Sequence, residues 1–536
     1  MVYEGMIDVL LADFPKLPLQ EDRTDELILS SVDWAHANGL VTRTRENKNR
    51  SDICQTAPFA LLPTPFPRKL FQQAINVQNL MATLYHEVAY DYNFLIECHK
   101  DVIKTDEFTR GLIEILQQVM TEGKVILLES FICVAYAHSL IFQGLAQRKT
   151  LVIQRSDYMC HKDPFSCEYY LRQIEVNNIA SSMGGHAERV TKMHRRTLFE
   201  LGYSTETIER AIPKNEPIKL IAEALYKAWE VFSLPEAVVL VIVEDENQNQ
   251  IDQRHVEYAL EDMGVPVDQI VRKTLTQCDE CLILSPERHL LLLGSRVAVV
   301  YFRSGYSPNH YPSKKEWAAR LLIERSDAIK APWIGLQVAN TKKTQQVSGN
   351  RSVHYPLEDL KINFSDKLFE VLAEDGVVER FVGHPRDAAA IRSTFAGLWA
   401  ISGSHPLTDK LIKNAIAHPS RFVLKPQLEG GGGNFYGEQV AEKLQTLSGE
   451  ERGAYILMER IQPLVAENYL IRAMEPVALS SVVSELGVYG YALGERGIPE
   501  VRQGGHLLRT KPDNVDEGGV AVGAAVIDSP FLYELL

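Results

Sequence analysis

Apolar residues recur at spacings of three and four along the first part of the chain, and short continuous apolar runs take over further on. Leu27, Ile28, Val32 and Ala35 form one stripe, so the spacing predicts a helix from Asp25 to about Ala37 with Thr24 as its cap. Four prolines between Ala57 and Pro67 predict an extended, packed segment instead. From Arg68 the series Leu70, Ala74, Val77, Met81 and Leu84 predicts a long helix, and Phe108 to Met120 a second. His186 to about Leu201 and Lys219 to Phe232 follow as helices. Val238 to Val243 is a strand-length apolar run, and Arg254 to Met263 has helical spacing. Leu290 to Leu293 and Val297 to Phe302 read as strands joined at Gly294-Ser295. This alternation predicts a small α/β unit of about one hundred residues. Further helices are expected over Lys315 to Ala328, Phe395 to Ile401, Lys410 to Ala417 and around Val440, Leu444 and Leu447. Strands are expected at Phe422 to Leu424, Tyr455 to Glu459 and Val482 to Gly487.

Composition narrows the class. The chain has 536 residues, 45% hydrophobic and 24% charged, the profile of a globular protein of two to four domains. Its net charge of −14 argues against a nucleic-acid binder that relies on a broad basic surface. Any anionic small molecule must therefore be held by a local cluster of Arg and Lys. Seven cysteines without framework spacing suggest a reducing, cytoplasmic compartment. Cys278-x-x-Cys281 stands alone, and a zinc site there would need two more ligands; Cys160-His161 and Cys167 are weaker signals. The first residues show no basic region followed by an apolar core, so no secretory signal is expected. Apolar runs such as Ala237 to Val243 are too short to span a bilayer.

The chemistry concentrates in a few stretches. Phe422 to Leu424 leads to Lys425, Pro426 keeps the exit extended, and Glu429 precedes Gly430, Gly431, Gly432 and Gly433. Such a glycine run can aim successive N–H groups at phosphate oxygens, with Lys425 as a cation and Glu429 as an oxygen ligand for Mg²⁺. It matches neither the P-loop nor the G-x-G-x-x-G pattern. Glu175 and Asn177 lie two apart in a predicted strand and share a face, which could supply two hard oxygens to a metal, or form an ordinary polar face. Ser181 to Gly185 is a small-residue turn suited to a ligand carboxylate. Arg303 and Tyr306 leave a strand end together, where open α/β sheets place ligands, although a surface ion pair would also explain Arg303. Lys342-Lys343 is a phosphate contact or a solvated turn. Arg509 and Lys511 face one side of an extended segment, and Gly518 to Val526 is a run of small residues that could pack against a small substrate, order as a flap or form a plain core strand.

Taken in order, these motifs resemble the eukaryotic glutathione synthetase family of the ATP-grasp superfamily. The matching pieces are Gln154-Arg155-Ser156-Asp157-Tyr158-Met159, Ile174-Glu175-Val176-Asn177, Asp252-Gln253-Arg254, Tyr301 to Tyr306, Thr341-Lys342-Lys343, Phe422 to Tyr436, Ser484-Glu485-Leu486-Gly487 and Gly505 to Lys511. The resemblance implies a mixed α/β (α+β) ATP-grasp architecture. Its body would comprise residues 1–235 and 341–536, with a small α/β substrate-binding domain at 236–340, a lid at about 425–480 and a flap at about 509–525. It also implies ligation of γ-glutamylcysteine to glycine with ATP, two Mg²⁺ ions and a homodimer, without nucleic acid or membrane partners. The metal ligands would be Glu175, Asn177 and Glu429. ATP would contact Glu175, Lys342, Lys425, Gly430 to Gly433 and Asn434. Tyr436, Met458, Glu459, Glu485 and Lys511 would complete that site. The dipeptide would meet Arg155, Ile179, Ala180, Ser181, Ser182 and Asn247. Gln253, Arg303, Tyr306, Arg509, Val520 and Ala521 would enclose it, with Arg155, Arg509 and Lys511 as the catalytic cations. Four positions depart from the family pattern. Asn247, preceded by Glu246, replaces a glutamate; Gly433 replaces an asparagine, Ala180 a serine and Val522 an alanine. The last leaves room for β-alanine as acceptor, and a nucleotide-binding regulator without catalysis is the reading from another class.

Overall fold

Long alternating strands near both ends of the chain build the main sheet, and the computed structural model shows how the middle is set into it. It describes residues 14–131, 145–163, 166, 168–342, 344, 376–401, 406–426, 433–449, 451–516, 518–520 and 523–534. Glu429, Gly430, Gly431, Gly432, Ala521, Val522 and Lys343 lie outside the described residues.

In chain order, α1 (Glu21–Ala37) precedes the short β1 (Phe59–Ala60), α2 (Arg68–Ala89) and α3 (Glu107–Phe131). Two long strands follow, β2 (Thr150–Lys162) and β3 (Tyr169–Asn177), then α4 (Gly184–Glu200) and α5 (Pro217–Phe232), which Pro217 opens. The next unit contains β4 (Val238–Ile242), α6 (Gln250–Asp262), β5 (Ile270–Lys273), β6 (Leu282–Leu284), β7 (Leu290–Leu292), β8 (Ser295–Phe302), α7 (Lys314–Glu324) and β9 (Ile329–Ala331). Beyond it come β10 (Leu398–Ala400), β11 (Phe422–Pro426), β12 (Phe435–Tyr436), α8 (Glu438–Thr446) and β13 (Tyr455–Glu459). Towards the C-terminus come β14 (Val465–Ile471), β15 (Leu479–Gly494), β16 (Glu500–Pro512) and β17 (Val526–Asp528), followed by a short strand Pro530–Tyr533 that pairs with Thr64–Pro67.

These strands form three principal sheets. The largest has the order β14-β1-β17-β16-β15-β2-β3, and β14 also pairs with β15, so part of it closes on itself. The second runs β5-β4-β8-β7-β6 with β9 beside β8; its core pairings β5–β4, β4–β8 and β8–β9 are parallel. Its central strand Val238–Ile242 is buried throughout, which accounts for its unbroken apolar run. The third, β10-β13-β11-β12, is antiparallel and has its own small core around Phe422, Leu424, Leu444 and Leu457. On the back of the main sheet α2 buries Leu70, Ala74, Val77, Met81 and Leu84, and its Gln78 donates to Gln154 at 3.1 Å. Among the described residues no helix is long and apolar enough to cross a membrane.

Three local expectations need correction. Helix α1 starts a turn early: Thr24 lies within its first turn, donating to the Gln20 carbonyl at 2.9 Å, and Gln20 takes the cap position. The segment expected as a helix over Phe395 to Ile401 contains strand β10, whose Trp399 packs on Phe422 at 5.7 Å between ring centroids. An aromatic in a short edge strand gains more from that cross-strand face than from helix propensity. Leu292 pairs with Ser295, so the hairpin turns at Leu293-Gly294, both at positive φ (50° and 93°), the geometry of a tight two-residue connection.

His506 is fully buried against Phe71, and burial holds its imidazole down at about 3. His255 is held at about 4 by burial and by Arg189, which donates to its Nδ1 at 2.9 Å. Unfolded histidine protonates near 6.5, so below that pH the unfolded chain binds more protons and stability falls. We expect the thermal midpoint to drop as pH goes from about 6.5 to 4, His506 alone contributing up to about 1.4 kcal/mol per pH unit. A His506 ring resonance that titrates near 6.5 in the folded protein, followed by NMR, contradicts neutral burial of this ring.

Candidate active site

Four adjacent antiparallel strands of the main sheet place a row of charges on one face. Arg155 pairs with Asn177 and Asp157 with Glu175 between β2 and β3; Asp157 faces Gly487 between β2 and β15; Glu485 faces Arg509 between β15 and β16. Side chains two apart in a strand share a face, so Arg155 and Asp157, Glu175 and Asn177, and Arg509 and Lys511 project together. All of these but the fully buried Asp157 line a cavity of about 420 Å³.

The face is a dense ionic network. Asp157 accepts from Arg155 Nε at 2.7 Å and from an Arg155 terminal nitrogen at 2.8 Å. Arg509 donates to Asp157 at 2.9 Å, to Glu175 at 3.4 Å and to Glu485. The carboxylates of Asp157, Glu175 and Glu485 lie within 4.8 Å of one another. Burial pushes Glu175 up, yet Arg509, Arg155, Lys425 and Lys342 hold it down at about 2. Glu485 moves the other way: burial raises it, and the charges of Asp157 and Glu175 add to that against the pull of Arg509. One glycine makes the packing possible. A Cβ on Gly487 would stand 2.6 Å from Asp157 Oδ1 and 2.8 Å from Arg155 Cδ.

Asn177 donates its amide nitrogen to Asp157 at 2.9 Å and to Glu175 at 3.3 Å. That fixes the amide's sense: its nitrogen lies against the two carboxylates, which leaves its oxygen as an acceptor or metal ligand on a side chain that lines the cavity. Two hard oxygens side by side suit a small divalent cation such as Mg²⁺.

A second wall is the turn after β3. Ala180 and Met183 adopt positive φ (52° and 71°), and Asp252 on α6 accepts from the Met183 and Gly185 N–H groups, each at 2.8 Å. Arg155 and Tyr489 donate to the Ser182 carbonyl at 3.2 and 2.6 Å, and Arg303 to the Ser181 carbonyl at 3.3 Å. Ile179, Ala180, Ser181, Ser182 and Tyr306 line the cavity. Arg303 and Gln253 stand behind them, both buried, Gln253 accepting from Arg272 at 2.7 Å. Burial and the neighbouring Glu244 push the Tyr306 phenol up to about 12. Asn247 donates to Glu244 at 3.1 Å rather than facing the cavity.

The sheet β10-β13-β11-β12 and the segment after β16 line the opposite side. Lys425, Asn434, Tyr436, Met458 and Glu459 line the cavity, as do Lys342, Lys511 and Val520. Lys342 donates to the Pro426 carbonyl at 3.3 Å and Lys511 to the Asp516 carbonyl at 2.6 Å. Arg460 also reaches Asp516 at 3.2 Å. Gly433, with φ of 78°, is the described end of the glycine run. Sequence reasoning gave no site role to Asp157, Tyr489, Asp252 or Asp516. Only Asp157 offered a signal, its position two residues from Arg155 in a strand.

The Eukaryotic glutathione synthase, ATP binding domain family model matches residues 21–532. Glutathione synthetase of Bos taurus is 37% identical over 516 residues, covering 95% of this chain and 97% of its own. The chloroplastic glutathione synthetase of Arabidopsis thaliana is 36% identical over 523 residues, covering 96% of this chain and 86% of its own. Among solved structures, a glutathione synthetase like-effector from Globodera pallida in apoform superposes with a TM-score of 0.71 at 27% identity, over 97% of this chain and 99% of that one.

Gly487→Ala should destabilise the chain by about 1–3 kcal/mol, the range for overpacking a filled interior. Gly449→Ala, whose Cβ would meet nothing within 4 Å, should be near neutral. Urea unfolding of both variants checks this; equal midpoints contradict the packing described.

Proposed function

The chain belongs to the eukaryotic glutathione synthase family, and from that premise we propose that it ligates γ-glutamylcysteine to glycine, cleaving ATP to ADP and phosphate. The observation that carries the reading is the cavity itself. Arg155, Arg509, Lys342, Lys425 and Lys511 converge on it, although the whole chain has a net charge of −14. Such a site holds anions by local charge.

The chemistry fits that cast. A carboxylate is a poor acyl donor because oxide is a poor leaving group. Attack of the dipeptide carboxylate oxygen on the γ-phosphorus breaks the bond to ADP and gives an acyl phosphate. The glycine nitrogen then attacks the acyl carbon, and phosphate leaves with the C–O electron pair while the amine loses its proton. Phosphoryl transfer asks for positioning and charge neutralisation, which Lys342, Lys425 and Lys511 supply around a triphosphate. Arg155 and Arg509, beside the Ser181–Ser182 turn, face the reacting carboxylate. Glu175 and Asn177, joined by Glu429 of the glycine stretch, would hold Mg²⁺, which neutralises phosphate charge when bound. Lid and flap keep water from the acyl phosphate. Two Mg²⁺ per site, a homodimer and a cytoplasmic setting complete the proposal, the last supported by the odd, unframed set of seven cysteines.

Purified protein with γ-glutamylcysteine, glycine and Mg-ATP should release ADP at a rate that drops to background when either amino-acid substrate is withheld. Glycine should be preferred to β-alanine; no release above background with all components present defeats the reading. Light scattering should give about twice the 60.4 kDa chain mass.

A further inference from the structure

Asp157 has no part in the reading above, on which this inference rests for its substrates. Its side chain is fully buried, and an unpaired carboxylate there would be costly. Both of its oxygens are occupied, by Arg155 through a two-point contact at 2.7 and 2.8 Å, by Arg509 at 2.9 Å and by the Asn177 amide at 2.9 Å. Those three partners come from β2, β16 and β3, so one short side chain links three strands across the face that carries the chemistry. Asp157 itself has little freedom. Its strand is paired on both sides, the β2–β3 register shifts between Asp157 and Tyr158, and the bare Gly487 backbone closes over Oδ1. Arginine, in contrast, has many rotamers to lose when it is aimed.

We propose that Asp157 is a positioning residue, which aims Arg155 and Arg509 at the reacting carboxylate. A carboxylate that served only to neutralise buried charge would need neither the two-point contact nor the amide. Lys342 and Lys511, which face ATP in the reading above, are held instead by the Pro426 and Asp516 carbonyls, at 3.3 and 2.6 Å, so loss of Asp157 should separate the two halves of the site.

The test compares Asp157→Asn with Ser156→Ala, its buried neighbour on the other face of the strand, in the full chain. Asp157→Asn should lower kcat about 100-fold, the scale for losing a preorganised charge contact, while KM for ATP stays within about threefold. Ser156→Ala should leave both within about threefold. A kcat for Asp157→Asn near that of the wild type, or equal losses in kcat and in ATP affinity, overturns the proposal. A readout independent of turnover uses ¹⁵N-arginine NMR of the unmutated chain, with the Arg155 signal assigned by its absence in Arg155→Lys. The Arg155 Nε proton should exchange with water at least about 100-fold more slowly than in free arginine, as a buried, hydrogen-bonded proton does. Unprotected exchange overturns the positioning role even if Asp157→Asn fails to fold. If the unmutated protein makes no glutathione but Nε is protected, the ligase reading fails and the anchoring stands.

Discussion

Register between β2 and β15 is the constraint on which the active face depends. The pairing runs from Gly494 opposite Thr150 to Glu485 opposite Met159, so ten residue pairs fix it. A slip of one residue would turn Arg155 and Asp157 to the back, where α2 packs, and bring Gln154 and Ser156 to the cavity. The back face resists that slip because Gln78 and Asn178 already satisfy the Gln154 amide, at 3.1 and 2.8 Å. Apolar packing behind the sheet and charge placement in front of it are therefore set by the same hydrogen-bond ladder.

Electrostatics then explain why the charges can coexist. Asp157, Glu175 and Glu485 would repel one another at such separations, but Arg509 stands among all three and Arg155 covers Asp157. The outcome is uneven. Glu175 is held strongly acidic by four cations, whereas Glu485, deeper among the other carboxylates, is raised. An ionised Glu175 next to an amide oxygen is what a hard cation requires, and the more easily protonated Glu485 is better suited to hydrogen bonding. Environment, more than residue type, divides the roles of these two glutamates.

Much of this was legible in the chain. The i, i+2 spacings of Glu175 with Asn177 and of Arg509 with Lys511 put each pair on one strand face, and the apolar run Val238 to Val243 marked a strand buried on both sides. Less legible were features that depend on distant partners. Trp399 sits in a strand because Phe422 and β13 lie beside it, which helical spacing around Phe395 cannot convey. Asp252 reads as a helix residue, yet it anchors the Met183 and Gly185 N–H groups nearly seventy positions earlier in the chain. Asp157 was hidden in another way: two residues from Arg155 it resembles a local ion pair, and only the fold brings Arg509 and Asn177 to it.

The departure at Asn247 shows the same limit from the other side. In one dimension it is an amide where the resemblance implied a carboxylate. In space, Glu244 lies one hydrogen bond away, accepting from Asn247 at 3.1 Å, from Tyr306 at 3.3 Å and, through its pairing with His310, at 3.1 Å. Those three contacts help hold its carboxylate below the ordinary range despite burial, which acts the other way. A negative charge therefore persists beside Tyr306 and near the buried Arg303, carried from a position three residues earlier. What must be retained at such a site is the field at a point in space, and several sequence positions around one loop can provide it.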